Sequence, residues 1–336
     1  QFESIKHDNT NSHDELASIA SDLIGATITV FDNDGDEATS ESIELGALIG
    51  FEDDGPKVVA KKNAVGDTTL DETDFVDGST SAMISSSEIQ GLFKAADYGE
   101  DGQGVADAYA LTIANANTGL YLATDTAHAN EITLVAVTGG YEGKVNGVGA
   151  AVLSVTIDSA TGEVTVTQNA ALEHPVDGDD SAGEHDDAVT LDAAGIKVQI
   201  TVSDADGDTY VRASKNALEI TLKDDGPTVS MSTTETAAII VDESVGTKGS
   251  NRNENKGQAD NNDEQDSADK SDIGYATVLG TALFNLDIDA GADGENVAAR
   301  EYDLTLELAD GETDIDSGLD TTEGDDIMLS IDGSGV

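Results

Sequence analysis

The tetrapeptide Asp53-Asp54-Gly55-Pro56 recurs 171 residues later as Asp224-Asp225-Gly226-Pro227, and its surroundings recur with it. A period of that length describes a whole domain, so the chain has to fold as copies of one unit, and each local motif belongs to a position within that unit. Upstream, Ile28-Thr29-Val30-Phe31-Asp32-Asn33-Asp34-Gly35-Asp36 aligns with Ile200-Thr201-Val202-Ser203-Asp204-Ala205-Asp206-Gly207-Asp208. His13-Asp14-Glu15 aligns with His185-Asp186-Asp187, and Ile5-Lys6-His7 with Leu172-Glu173-His174. Downstream, Leu70-Asp71-Glu72 falls on Val241-Asp242-Glu243, Gly99-Glu100-Asp101-Gly102 on Gly291-Ala292-Asp293-Gly294, and Tyr109-Ala110-Leu111-Thr112 on Tyr302-Asp303-Leu304-Thr305.

This register divides the chain into the back part of one unit (1–54), a complete unit (55–226) and the front part of a third (227–336). A part-sandwich on its own exposes unpaired strand edges and an apolar face, so neighbouring repeats are expected to cover the two partial units.

Strand signals dominate. Ile196, Val198, Ile200 and Val202 alternate with Lys197, Gln199, Thr201 and Ser203, the period of a half-buried strand, and Ile24, Ala26, Ile28 and Val30 repeat it. Leu218 to Leu222 alternates likewise, as do Ala47, Ile49 and Phe51. Val152 to Ile157 and Val164 to Thr167 flank a turn and read as a hairpin, and Tyr109 to Ile113 and Ile132 to Val137 add strands. Short helices are expected at Asp14 to Leu23 and at Ser87 to Phe93. The fold class is all-β: tandem antiparallel, immunoglobulin-like β-sandwiches. Ser244 to Asp272 forms a polar insertion without apolar period and reads as a solvated loop.

The formal charge is −54, from 69 acidic and 15 basic residues, so nucleic acid is excluded as a partner because neutralising phosphate needs Lys and Arg. The same charge disfavours anionic membrane surfaces, and no apolar run approaches the ~20 residues of a spanning helix. With 38% hydrophobic residues the chain still builds cores, but self-repulsion calls for counter-ions. It has no cysteine, which removes disulfides and thiolate metal sites as sources of rigidity.

Asp32, Asp34 and Asp36, and in register Asp204, Asp206 and Asp208, place three carboxylates on alternate positions after a strand, with glycine permitting a tight bend. Calcium takes six to eight hard oxygens in flexible geometry, and such turns supply several of them. Neither turn is an EF-hand, since Ile43 and Lys215 stand where the bidentate Glu belongs. The second candidate is the joint: Asp53, Asp54, Asp224 and Asp225 end their units, and Glu72 and Glu243, early in the units that follow, are expected to close a shared site across it. Asp101 and Asp293 read as turn formers, and His7, His13, His174 and His185 as structural loop residues. There is no nucleophile elbow, P-loop or dinucleotide fingerprint, and no enzymatic activity is expected.

Together, the strand ending in Asp-x-Asp-Gly-Asp, the Asp-Asp-Gly-Pro joint, the Asp-Glu after it, the Gly-x-Asp-Gly loop and Ser317-Gly318-Leu319 before a strand resemble a known pattern. It is that of the long repeat domain of type I secretion targets, found in giant RTX adhesins of Gram-negative bacteria. The resemblance implies export without a cleaved N-terminal signal, folding outside the cell on meeting calcium, and tethering at the outer membrane. It also implies service as an extender or scaffold in attachment and biofilm formation, with Asp32, Asp34, Asp36, Asp204, Asp206 and Asp208 as calcium ligands. The insertion from Ser244 to Asp272 is not part of that pattern. Two other readings fit the residues: a module that binds a glycan or peptide, and a filament subunit whose partial ends complement its neighbours.

Overall fold

Val198, Ile200 and Val202 are buried, and their strand, Lys197–Ser203, is the centre of a three-stranded antiparallel sheet between Ala108–Thr112 and Thr209–Ala213. The described residues of this computed structural model are 4–10, 12, 14–176, 185–235, 238–239, 261–262, 275–276, 279–303, 305–306, 308 and 313–330. A second, five-stranded sheet is an antiparallel meander from Ile132–Val137 through Gly140–Val145, Leu153–Ile157 and Val164–Gln168, with Thr80–Ile84 on its far edge. The hairpin read from Val152 to Thr167 is its centre. Leu153, Val155 and Ile157 alternate with exposed-side Ser154 and Thr156, which fixes the face that each strand buries.

A third sheet orders Ala188–Thr190, Glu219–Lys223 and Asp67–Asp71, and its last pair is parallel, Leu222 opposite Leu70. Among the described residues of the complete unit, this is the one departure from the expected antiparallel pattern. It lays the first long strand of the unit beside the last. Leu70, Ile84, Leu111, Val155, Val198 and Ile220, drawn from all three sheets, share one buried cluster, so the complete unit is an all-β sandwich. A single helical turn, Ser86–Gly91, is held by a capping box between Ser85 and Glu88 and buries Ile89 against that cluster. It matches the helix read at Ser87 to Phe93.

The helix expected at Asp14 to Leu23 does not form. Leu16–Ser18 is a strand paired with Gly50–Glu52, and Asp22 has φ +66°, which an α-helix does not tolerate. Cross-strand pairing overrides local propensity there. Gly46–Leu48 is a 3₁₀ turn rather than the start of a strand, so the alternation at Ala47 is interrupted. Asp242, Glu243 and the insertion from Ser244 to Asp272 lie outside the described residues, apart from Asn261–Asn262, which pairs with Tyr275–Ala276.

By compactness the chain divides into Gln1–Asp293 and Gly294–Val336. The first holds everything above, together with Thr228–Thr233 paired antiparallel with Phe284–Asp289. The second contains a 3₁₀ turn at Val297–Ala299, an Arg300–Glu295 ion pair and the hairpin Asp314–Asp320 with Asp326–Ser330.

Candidate metal centres at the repeat junctions

The Asp-Asp-Gly-Pro joint is built the same way twice. Asp53 N donates to Glu15 O at 3.0 Å, and one repeat later Asp224 N donates to Asp187 O at 2.9 Å. These bonds continue the pairing of Leu16 with Glu52 and of Ala188 with Lys223. The next residue reaches forward into the following unit: Asp54 accepts from Glu100 N at 3.2 Å, and Asp225 accepts from Ala292 N at 2.9 Å. Both acceptors lie over a glycine with positive φ. A Cβ on Gly99 (φ +68°) or on Gly291 (φ +67°) would stand 2.5 Å from the carboxylate of Asp54 or Asp225. The repeated Gly-x-Asp-Gly loop is thus a cradle for the acidic joint as well as a turn.

At the first joint, one oxygen each of Asp53, Asp101 and Asp206 lie within 4.8 Å of one another. Three segments converge there. Asp53 ends the Gly50–Glu52 strand, and Asp101 sits in the cradle loop. The Asp204–Asp208 turn is tied to that loop by the bridge between Gln103 and Asp204 and by Gly104 N donating to Ser203 O at 2.9 Å. His7, 5% exposed, packs against the group: its backbone N donates to Asp206 Oδ2 at 3.4 Å, and its Nε2 stands 3.9 Å from Asp53 Oδ1. Burial pushes the Asp53 carboxyl above its usual range; His7 opposes the shift, and Asp206 and Asp208 reinforce it. Burial and the neighbouring Asp206 carboxyl push Asp204 up to about 6. A cleft of about 470 Å³, lined by Ile5, His7, Phe51, Asp53, Asp54 and Asp101 among others, opens this group to solvent.

At the second joint the converging carboxylates are Glu72, Asp224 and Asp225, again within 4.8 Å. Glu72 is 1% exposed; its Oε1 accepts from Gln168 Nε2 at 2.5 Å and from Leu172 N at 3.0 Å. Burial pushes its carboxyl up to about 8 despite those two donors, with Asp293 and Asp224 adding to the shift. Burial likewise raises Asp224 to about 6, opposed by His174, whose Nδ1 stands 3.4 Å from Asp224 Oδ1.

Glu72 therefore serves the joint that follows its own unit, not the joint with Asp53 before it. The parallel pairing of Asp67–Asp71 with Glu219–Lys223 carries the chain across the unit before Glu72 is reached. Asp32, Asp34 and Asp36 also converge within 4.8 Å, but all three are exposed. Glu243 lies outside the described residues. Asp101 and Asp293 do form turns, yet Asp101 also joins the first cluster; the signal that could have found it is the exact recurrence of Gly99 as Gly291. Asp187, which has two buried side-chain oxygens without hydrogen-bond partners, was not singled out either.

The donors at both joints are carboxylate oxygens, the set suited to a hard divalent ion such as calcium. Buried carboxylates are normally hydrogen-bonded or paired with a cation. Here Asp53 Oδ2, Asp204 Oδ2, Asp206 Oδ1 and Glu72 Oε2 are buried without hydrogen-bond partners. The residues present fit a bound cation on that count. One protein-family model, described as Domain of unknown function (DUF5801), matches residues 1–46 and 67–220, more than half of the chain. No curated protein matches it.

Proposed function

The chain belongs to the DUF5801 family, whose description names no activity, and we propose that it is a calcium-stiffened, non-enzymatic spacer of an extracellular adhesin. In this reading the sandwiches act as extender or scaffold between the anchored end of a cell-surface protein and whatever it attaches to. The observation that carries it is the convergence of three carboxylates at each joint, in which Asp53 Oδ2, Asp206 Oδ1 and Glu72 Oε2 are buried without a hydrogen-bond partner. At pH 7 such groups either repel as carboxylates or, as Glu72 does, keep a proton, and a divalent ion bound between them makes the ionised cluster favourable.

A chain of formal charge −54 is less stable where calcium is scarce, and calcium outside the cell shifts it toward the folded, jointed form. Each site bound only by the folded state adds about 2.7 kcal/mol at a calcium concentration one hundred times its Kd. The resemblance to the repeats of type I secretion targets in RTX adhesins supports secretion, outer-membrane tethering and a part in biofilm formation. Thermal melts of the 336-residue chain test the core of the proposal. A rise of the midpoint in millimolar calcium over chelator, not reproduced by matched ionic strength, is the expected result. Identical melts would sink it.

A further inference from the structure

The two Asp-x-Asp-Gly-Asp turns have the same internal geometry. Asp32 Oδ1 accepts from Gly35 N at 3.1 Å and Asp36 N at 2.9 Å; Asp204 Oδ1 accepts from Gly207 N at 3.1 Å and Asp208 N at 2.7 Å. In each turn the first carboxylate thus spends an oxygen on the turn itself. At most five of the turn's six carboxylate oxygens remain free, fewer than the six to eight that calcium takes.

The turns differ in what faces them. The Asp204–Asp208 turn abuts the preceding partial unit, with His7 N on Asp206 Oδ2 at 3.4 Å, and a Cβ on Gly207 would lie 3.1 Å from Thr10 Cγ2. That unit brings in Asp53, whose side chain is 2% exposed and whose Oδ2 has no hydrogen-bond partner. Asp206, whose Oδ1 is unpartnered, converges with Asp53 and Asp101, and Asp204 beside it, 1% exposed, also keeps an unpartnered oxygen. Residues 32–36 have no such neighbour among the described residues, and all three of their carboxylates are exposed.

The second joint supplies a further member. Asp224, Asp225 and Asp293 occupy the repeat positions of Asp53, Asp54 and Asp101, and there the unit that ends at the joint contributes buried Glu72, whose Oε2 is unpartnered. Superposing the joints by repeat register gives one composite site: an Asp53-type and a Glu72-type carboxylate from the unit that ends, and an Asp101-type and an Asp206-type carboxylate from the unit that begins.

We propose that the Asp-x-Asp-Gly-Asp turn is not a self-contained calcium loop but half of a divalent-cation site that closes only across a joint, on Asp53 and Asp101. Cation binding and the docking of successive units are then one event. This rests on the calcium reading above, and the experiment separates the two.

Calcium is titrated calorimetrically into the full chain and into Asp53→Asn, Asp206→Asn, Asp101→Asn and Asp34→Asn variants. Asp53→Asn and Asp206→Asn, on opposite sides of the joint, are each expected to weaken the same site at least tenfold. Asp34→Asn is expected to leave every site of comparable affinity intact. Asp101 is half-buried, so Asp101→Asn gives a binding loss separable from misfolding, checked by an unchanged circular dichroism spectrum in chelator. If calcium binds and raises the melt but Asp53→Asn is silent, the composite site is wrong and the calcium reading survives. Loss of an equally tight ion on Asp34→Asn overturns the composite site in the same way. If the unsubstituted chain binds no calcium, both fall.

Discussion

Ile24, Ile28 and Val30 are 37%, 65% and 56% exposed, whereas Ile196, Ile200 and Val202, at the same repeat positions, are 1%, 4% and 0% exposed. The strand pattern is shared, so the difference lies in what surrounds it. Lys197–Ser203 pairs on both edges and lies over a core that includes Ile84, Ile89, Leu111 and Val155, all from earlier in its own unit. Among the described residues, Thr29–Phe31 pairs only with Glu37–Thr39. Alternation sets which face of a strand is apolar; burial comes from the rest of the unit. The carboxylates follow the same rule. Hydrogen bonds from Asp34 and from the Asp36 backbone hold Asp32 below the usual carboxylate range, while burial and Asp206 hold its counterpart Asp204 above it.

The largest expected effect separates the two copies directly. Ile200→Ala should cost about 2–5 kcal/mol in urea unfolding, as core truncations do, and Ile28→Ala should stay within about 0.5 kcal/mol. Equal costs would mean that residues 1–54 acquire a core of their own in solution. Next comes the cradle of the joint. Gly99→Ala combines a positive φ with a Cβ driven against Asp54, and a loss of about 1–3 kcal/mol is expected, read as a lower melting midpoint.

The pH dependence comes third, and its sign is set by Glu72. Its carboxyl titrates at about 8 when folded, against 4.5 for an ordinary glutamate, so the folded chain holds a proton that the unfolded chain has released. In chelator, stability should therefore fall as pH rises from about 5 to 8. In saturating calcium the ion needs the carboxylate, so the stability gained from calcium should grow over the same range. Melts at several pH values check both slopes, and Glu72→Gln should flatten them. The smallest effect is again a pair: in chelator, Asp204→Asn should stabilise by ~1 kcal/mol by removing a buried charge, and Asp32→Asn should do almost nothing.

Much of the fold was legible in the sequence because period-two alternation at Val198–Val202 and Val152–Thr167 reports directly on one buried face. The repeat register also singled out most of the acids that the structure brings together at the joints. It did not show which joint each acid serves. Glu72 follows Asp53-Asp54 closely in sequence, and only the parallel pairing of Leu70 with Leu222 reveals that it has been carried to the other end of the unit. Asp101 reads from sequence as a turn former because a Gly-x-Asp-Gly turn explains itself locally; its approach to Asp53 and Asp206 depends on the Gln103–Asp204 bridge, which has no local signature. The misplaced helix at Asp14 to Leu23 failed for a related reason, since Leu16–Ser18 takes its conformation from a partner more than thirty residues away.

Asp67–Asp71 and Glu219–Lys223 run side by side in the same direction over five residue pairs, one near the entry of the complete unit and the other at its exit. A pull on the two ends therefore drags these strands past each other lengthwise. Their rungs are evenly spaced along a parallel ladder, so they share the load and must rupture together instead of peeling apart one by one. The strands where force would enter and leave this unit are thus the ones arranged to resist stretching.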